Sequence, residues 1–224
     1  MDLLGKHGRR FGLAVGILSL ADLILLGVRV LVTGSHRYGF IPWNLALAWI
    51  SLLFAGILMS ELKNHRWQSW QNISLTVGWL VFLPNTWYVL TDFVHIFPNG
   101  EISQLYDIVL ISLLVFTGFI LGFTGLFLIH RELLARLDQL KSWLLIEGVV
   151  LLSSFAIYLG RDLRWNSWDV ITNPGSVIIN ASQGIDDPFG SPRALNVTLL
   201  FFVLINVIYL AFWVFSRPAK PHRR

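Results

Sequence analysis

The sequence predicts an all-α integral membrane protein, a bundle of six transmembrane helices with both termini in the cytoplasm. Of the 224 residues, 55% are hydrophobic and 13% are charged, whereas soluble domains average about 25% charged residues. The hydrophobic residues gather in six runs, each close to the roughly 20 residues that cross a bilayer as a helix. Lys and Arg are concentrated on alternate connections between these runs, which orients the bundle.

The six spans are predicted to be helices because lipid offers the backbone no hydrogen-bond partners and the runs lack the alternation of barrel strands. One membrane domain over residues 1–224 is expected, with an extracytoplasmic connection at 161–193. The predicted spans are 11–32, 43–62, 72–91, 105–129, 143–160 and 194–215.

Basic residues predict the orientation. Lys6, Arg9 and Arg10 precede the first span, four more Lys and Arg residues follow the last, and twelve of the 17 fall on the predicted cytoplasmic side. Cytoplasmic connections of membrane proteins carry such an excess. The first run is longer than a usual secretion-signal core and lacks an obvious cleavage site, so we expect it to be a retained anchor.

Composition also excludes classes of chemistry. There is no cysteine, which excludes disulfides, thiolate nucleophiles, iron–sulfur clusters and thiolate zinc sites. The net charge of +4 comes without a basic stripe or an aromatic RNA-binding signature, so no nucleic-acid partner is expected.

A polar stripe marks the end of the third predicted span, FLPNTWYVLTDFVHI. Asn85, Tyr88, Asp92 and His95 are spaced by three, four and three residues, which places them on one helix face. Pro84 predicts a kink because proline removes a backbone hydrogen bond. A carboxylate can orient an imidazole, so Asp92 and His95 are the candidate catalytic pair, with Asn85 and Tyr88 as ligand-binding supports. Alternatively, Asp92 and His95 simply end the helix in water.

A second polar segment, YLGRDLRWNSWD, ends the fifth predicted span on the same side of the membrane. Two guanidinium groups one turn apart can bind phosphate or carboxylate, and neighbouring indoles can hold a lipid or sugar face. The alternative is that the arginines pair with nearby aspartates and cap the bundle. The ligand-binding candidates in this segment are Arg161, Arg164, Trp165, Asn166, Trp168 and Asp169.

Three charged residues inside the spans require partners. Arg29 lies in the outer half of the first span and Asp107 begins the fourth, so both can reach one external crevice. Buried charges in a bilayer are costly unless paired. Asp22 is about 10 Å from Arg29 along the helix axis, so each of the two is expected to have an interhelical partner. Asp92 and His95 do not define a metal site alone, and no metal or cofactor is assigned.

The segments LPNTWYVLTDFVH at 83–95 and YLGRDLRWNSWDVITNP at 158–174 resemble those of a bacterial membrane-protein family catalogued as domain of unknown function 1361. The resemblance extends over most of the chain and rests chiefly on the second segment, with its pattern G-R-x-L-R-W-N-S-W-D. It implies a multi-pass protein of the bacterial cytoplasmic (inner) membrane and carries no family reaction with it.

Three functional hypotheses follow from these residues. The leading one is an extracytoplasmic-face site for an anionic lipid-linked or envelope substrate, acted on by transferase or hydrolase chemistry. The second is a noncatalytic scaffold or accessory subunit. The third is a small-solute or ion transporter that depends on Asp22 or Arg29. The expected partners are membrane lipid, an anionic lipid headgroup and a membrane protein.

Overall fold

The computed structural model describes residues 6–98, 100–162, 172, 175 and 192–216. Within these ranges the chain is helical and has no strand, and six helices are long and apolar enough to cross a membrane. The predicted helical class and the predicted number of spans are confirmed. Large apolar side chains such as Leu31 and Phe215 remain exposed on the outside of the bundle, as expected for surfaces that face lipid.

The helices follow one another with short connections where the chain is described. Helix α1 ends before Gly34, whose positive φ of 66° suits glycine at a helix C-terminus. Ser69 caps the start of α3 by accepting a hydrogen bond from the Asn72 backbone nitrogen. The elements are α1 (Lys6–Thr33), α2 (Ile41–Glu61), α3 (Trp70–Phe82), α4 (Asn85–Tyr88), a 3₁₀ helix (Val89–His95), α5 (Gln104–Arg136), α6 (Gln139–Asp162) and α7 (Pro192–Ser216).

The third span is broken at Pro84, as the sequence predicts. Helix α3 ends at Phe82, the short α4 begins at Asn85, and the 3₁₀ helix carries the chain on to His95. This places the end of the third span four residues beyond the predicted boundary at 91. The break leaves Asn85 and Tyr88 on α4 and places Asp92 and His95 on the 3₁₀ helix, in which side chains three residues apart lie one above the other.

Two other helices extend beyond their predicted ends. Helix α5 continues past residue 129 to Arg136, because strong helix formers follow the apolar run and Arg136 pairs with Glu132 one turn earlier. Helix α6 includes Arg161 and Asp162 in its last turn, two residues that the sequence analysis had assigned to the following connection. Arg161 is thereby held on a helix.

Helix α5 lies at the centre of the bundle and contacts α1, α2, α4, α6 and α7. Of the residues in the 18-residue apolar stretch of α5, 61% are buried inside the bundle, against 11% of those in the corresponding stretch of α1. At about 1.5 Å per residue its 33 residues measure roughly 50 Å, more than the hydrocarbon thickness of about 30 Å. The packing of each of these helices against α5 therefore determines the position of the side chains that it carries.

Two glycines of α5 allow α4 to pack against its backbone. A Cβ atom on Gly118 would lie 2.6 Å from the Thr86 carbonyl oxygen, and one on Gly122 would lie 2.8 Å from the Thr86 Cβ atom and collide with its Oγ1 atom. Small residues four apart permit this close approach between membrane helices. The contact fixes α4, and through it the 3₁₀ helix that follows.

Candidate functional site

Several polar side chains meet at one end of the bundle. This end, called here the outer end, carries the connections at 34–40 and 96–103, and the sequence predicts that it faces away from the cytoplasm. The 3₁₀ helix, the start of α2 and the end of α6 converge there through contacts of Asp92, Asn44 and Arg161.

Asp92 is buried at 3% exposure, and its carboxylate is held by α2. The Asn44 side chain donates a hydrogen bond from Nδ2 to Oδ2 of Asp92 over 2.8 Å. The site predicted from the sequence did not include Asn44. Its position as a polar residue within the apolar run IPWNLALAW was the signal that could have identified it. The Asp92 carboxylate is therefore held by a side-chain amide from another span, and not by the His95 imidazole.

His95 lies at the rim of the same cluster. Its imidazole is exposed and packs against the Phe40 ring, with centroids 5.2 Å apart. Its carbonyl oxygen accepts a hydrogen bond from Arg37 Nη2 over 2.8 Å and lies 3.2 Å from the Tyr38 hydroxyl oxygen. Two residues of the α1–α2 connection thus hold the end of the 3₁₀ helix and leave the imidazole accessible.

Arg161 reaches the cluster from α6. Its Nη1 atom donates to the Thr91 carbonyl oxygen over 3.1 Å, and its charge interacts with Tyr88, Asp92 and His95. Within the described part of the chain no ion pair joins Arg161 to a carboxylate. The site therefore contains a half-buried cation that forms no ion pair with the described residues.

The remaining predicted site residues fall into two groups. Asn85 donates from Nδ2 to the Phe82 carbonyl oxygen at 3.1 Å, at the break between α3 and α4. Asp162, which is not a predicted site residue, forms an ion pair with Arg193 of α7 over 2.6 Å. The candidates that lie outside the described residues are Arg164, Trp165, Asn166, Trp168 and Asp169.

A buried ionic network braces the outer end. Arg29, with no exposed surface, donates from Nε to Asp107 Oδ1 over 2.8 Å and from Nη2 to Glu101 Oε2 over 3.1 Å. Its guanidinium lies 4.4 Å from the Tyr38 ring centroid, and the Tyr38 hydroxyl donates to Asp107 Oδ2 over 2.9 Å. The expected pairing of Arg29 across helices is confirmed. Because the Tyr38 hydroxyl oxygen also lies 3.2 Å from the His95 carbonyl oxygen, the network packs against the site.

Tyr38 provides a pH-dependent test of this network. Burial and the hydrogen bond to the Asp107 carboxylate raise the pKa of Tyr38 from its ordinary value near 10 to about 12. A raised pKa contributes stability that is present below pH 10 and is lost as the pH rises towards 12. We expect the difference in free energy of unfolding between wild type and Tyr38→Phe to shrink between pH 10 and 12, measured in neutral detergent; a constant difference would contradict the burial of this hydroxyl.

Asp22 lies far from the outer end, in the middle of α1, and has no exposed surface. Thr117 of α5 donates a hydrogen bond from Oγ1 to Asp22 Oδ2 over 3.2 Å. The expected interhelical partner is therefore present, and it is a neutral hydroxyl. Asp22 and Arg29 form separate contacts on α5.

The outer-end cluster offers three kinds of chemical group. Asp92 supplies a carboxyl group that Asn44 holds in place. His95 supplies an accessible imidazole, and Arg161 supplies a guanidinium group that uses one donor on the Thr91 carbonyl oxygen. In the described ranges no three His, Asp or Glu side chains converge in a way that could hold a metal ion. The groups present can bind an anion and can transfer protons.

Comparison with known proteins identifies the family. No curated protein and no solved structure matches the chain. A family model described as protein of unknown function (DUF1361) matches residues 43–209, a region that contains Asn44, the broken third span and Arg161. The resemblance noted in the segments at 83–95 and 158–174 is thereby confirmed. The chain belongs to the DUF1361 family, and its six apolar helices are those of a multi-pass membrane protein.

Proposed function

We propose that the outer-end cluster binds the anionic group of a lipid-linked or envelope substrate, in a protein of the bacterial cytoplasmic membrane whose termini face the cytoplasm. One observation carries the proposal. Arg161 is a half-buried cation that forms no ion pair with the described residues, and one of its donors holds the Thr91 carbonyl. Guanidinium has five N–H donors, so an anion can take those that remain.

The surroundings of Arg161 favour an amphiphilic anion. The cluster lies where three spans end, at the depth of lipid headgroups. Arg37 at its rim is stacked 3.6 Å from the Phe97 ring centroid, and the His95 imidazole packs on Phe40. Positive charge beside aromatic surface suits a phosphorylated headgroup with an apolar or sugar portion attached.

The catalytic form of this proposal is a transferase or hydrolase. His95 is the proton-transfer group, because its imidazole is accessible and lies one 3₁₀ turn from Asp92. Asp92 supplies negative charge beside it, and Asn44 holds the Asp92 carboxylate in place. Tyr88 and Asn85 act as hydrogen-bonding supports. Proton transfer by a positioned side chain contributes about 10²–10⁴-fold to a rate.

The test is native mass spectrometry of the protein extracted together with its bilayer lipids. We expect wild type to retain a defined phosphorylated lipid and Arg161→Gln to lose it, because the variant removes the counter-ion. The double variant Arg193→Gln/Asp162→Asn is the control, since it removes the neighbouring ion pair at the same end and leaves Arg161 in place. Equal lipid profiles in folded wild type and Arg161→Gln would contradict the proposed site.

The retained molecule then separates catalysis from binding. Catalysis predicts that purified wild type converts it, and that Asp92→Asn and His95→Ala each stop conversion while the ligand is still retained. No conversion by wild type, together with co-purification of one protein partner, would favour the scaffold function instead. That second function is favoured by the satisfied contacts of the outer end, where Asn44 holds Asp92, Tyr38 donates to Asp107 and Arg37 donates to the His95 carbonyl.

A further inference from the structure

A cavity of about 380 Å³ lies at the opposite end of the bundle, between the α2–α3 connection and the end of α5. This end, called here the inner end, is the one that the sequence predicts to be cytoplasmic. The volume is within the range of about 300–1,000 Å³ for small-molecule sites. The lining residues are Arg66, Trp67, Gln68, Leu133, Arg136 and Leu137.

One wall of the cavity is fixed to the start of α3. The Trp67 indole donates from Nε1 to Thr76 Oγ1 over 3.0 Å, and that hydroxyl donates to the Asn72 carbonyl oxygen over 2.7 Å. Asn72, which has no exposed surface, donates from Nδ2 to the Arg66 carbonyl oxygen over 3.0 Å. These bonds hold residues 66 and 67 in place, so this wall is preformed.

The opposite wall comes from the end of α5. Arg136 donates from Nε to Glu132 Oε1 over 2.8 Å and from Nη2 to the Leu62 carbonyl oxygen over 3.2 Å. Its guanidinium lies 5.8 Å from the Trp67 ring centroid. Glu132 offsets the charge of Arg136 and also fixes its orientation. Leu133 and Leu137 make the rest of this wall apolar.

Arg66 gives the cavity its net positive charge. Its side chain is exposed, and among the residues with described positions it forms no ion pair. The cavity thus combines one uncompensated guanidinium, one ordered guanidinium, an indole and apolar side chains. Guanidinium groups bind phosphate oxygens, and indoles favour the membrane–water boundary.

We propose that the inner-end cavity binds the phosphate group of a glycerophosphate, the headgroup of an anionic phospholipid of the adjacent leaflet, with Arg66 as the counter-ion. Trp67 and the two leucines contact the glycerol and the first acyl carbons. Arg136, held by Glu132, directs its remaining donors at the phosphate. This site is independent of the outer-end cluster, because it uses other residues at the other end of the bundle.

The experiment is a native mass spectrometry titration of delipidated protein in neutral detergent with palmitoyl-oleoyl phosphatidylglycerol and with the corresponding phosphatidylcholine. We expect wild type to bind the first phosphatidylglycerol about fivefold more tightly than phosphatidylcholine, since one Lys or Arg near the surface favours anionic lipid by about 1 kcal/mol. We expect Arg66→Gln to reduce the preference to within about twofold. The exposed Arg66 side chain makes no ion pair to lose, so this variant folds.

Two matched variants show which cation is responsible for the preference for phosphatidylglycerol. Arg10→Gln removes an exposed cation from α1 at the same end, and Arg161→Gln removes the outer-end cation; both should keep the preference for phosphatidylglycerol. Retention of the full preference by Arg66→Gln, or an equal loss in Arg10→Gln, would overturn the site. Loss of the preference in Arg161→Gln alone would also overturn the inner-end site and would assign the bound lipid to the outer end.

A competition with glycerol 1-phosphate distinguishes the source of the phosphate. Failure of this water-soluble headgroup to displace bound phosphatidylglycerol at millimolar concentration supports a lipid ligand. Displacement that depends on Arg66 supports the same phosphate site with a soluble phosphate ester as its ligand. Absence of Arg66-dependent binding by either molecule would refute the proposal.

Discussion

Replacing Gly118 by alanine is expected to destabilise the protein by about 2–3 kcal/mol, in the range for overpacking a tight interface. The added Cβ atom would lie 2.6 Å from the Thr86 carbonyl oxygen and 2.9 Å from the Val89 Cγ2 atom. A backbone oxygen cannot move aside as a flexible side chain can, so α4 must shift away from α5. At roughly 2–4 °C per kcal/mol for a chain of this size, the apparent Tm in detergent should fall by roughly 5–10 °C.

Gly148→Ala is the control for this substitution. Gly148 lies inside helix α6, and a Cβ atom there would meet nothing within 4 Å. Alanine in a helix is favoured over glycine by up to about 1 kcal/mol, so the Tm of this variant should stay the same or rise. If Gly118→Ala unfolded at the same temperature as Gly148→Ala, that result would contradict the close contact between α4 and α5. Because α4 carries the 3₁₀ helix, we also expect Gly118→Ala to weaken ligand retention at the outer end.

Replacing Arg29 by leucine is expected to cost about 3–5 kcal/mol, the usual loss when one partner of a buried ion pair is removed. Asp107 would remain 2% exposed, with the Tyr38 hydroxyl as its donor in the described network. An unpaired carboxylate inside a membrane protein is more costly than the pair. The free energy of unfolding, measured by titration with a denaturing detergent, should report this loss directly.

The double variant Arg29→Leu/Asp107→Leu separates the pair from the packing around it. Removing both charges leaves neither of them buried without its partner, so we expect the double variant to be more stable than Arg29→Leu alone by at least about 1 kcal/mol. Arg37→Leu is the control, because it removes a half-buried arginine of the adjoining α1–α2 connection that forms no ion pair with the described residues. A double variant no more stable than the single variant would show that the charges of Arg29 and Asp107 are not coupled.

The sequence alone determined the class of fold, because the properties that decide it are local. Run length and charge are read directly from the chain, and lipid permits few solutions for an apolar run of some 20 residues. The break at Pro84 was predictable for the same reason, since proline lacks the backbone donor at its own position. The charge of Arg29 also predicted its own pairing, because an unpaired guanidinium inside a bilayer is too costly.

Only the tertiary structure decided which groups meet. The sequence placed Asp92 beside His95 by spacing along one helix, but the donor that holds the Asp92 carboxylate comes from Asn44, 48 residues away in sequence. It likewise gave no sign that Arg66 and Arg136 line one cavity, since they lie on different elements. The contact of Asp92 with Asn44 depends on where α4 carries the 3₁₀ helix, and the close approach of α4 to Gly118 and Gly122 of α5 sets that position. Periodicity specifies the face on which a side chain lies, whereas close packing between helices specifies its partner.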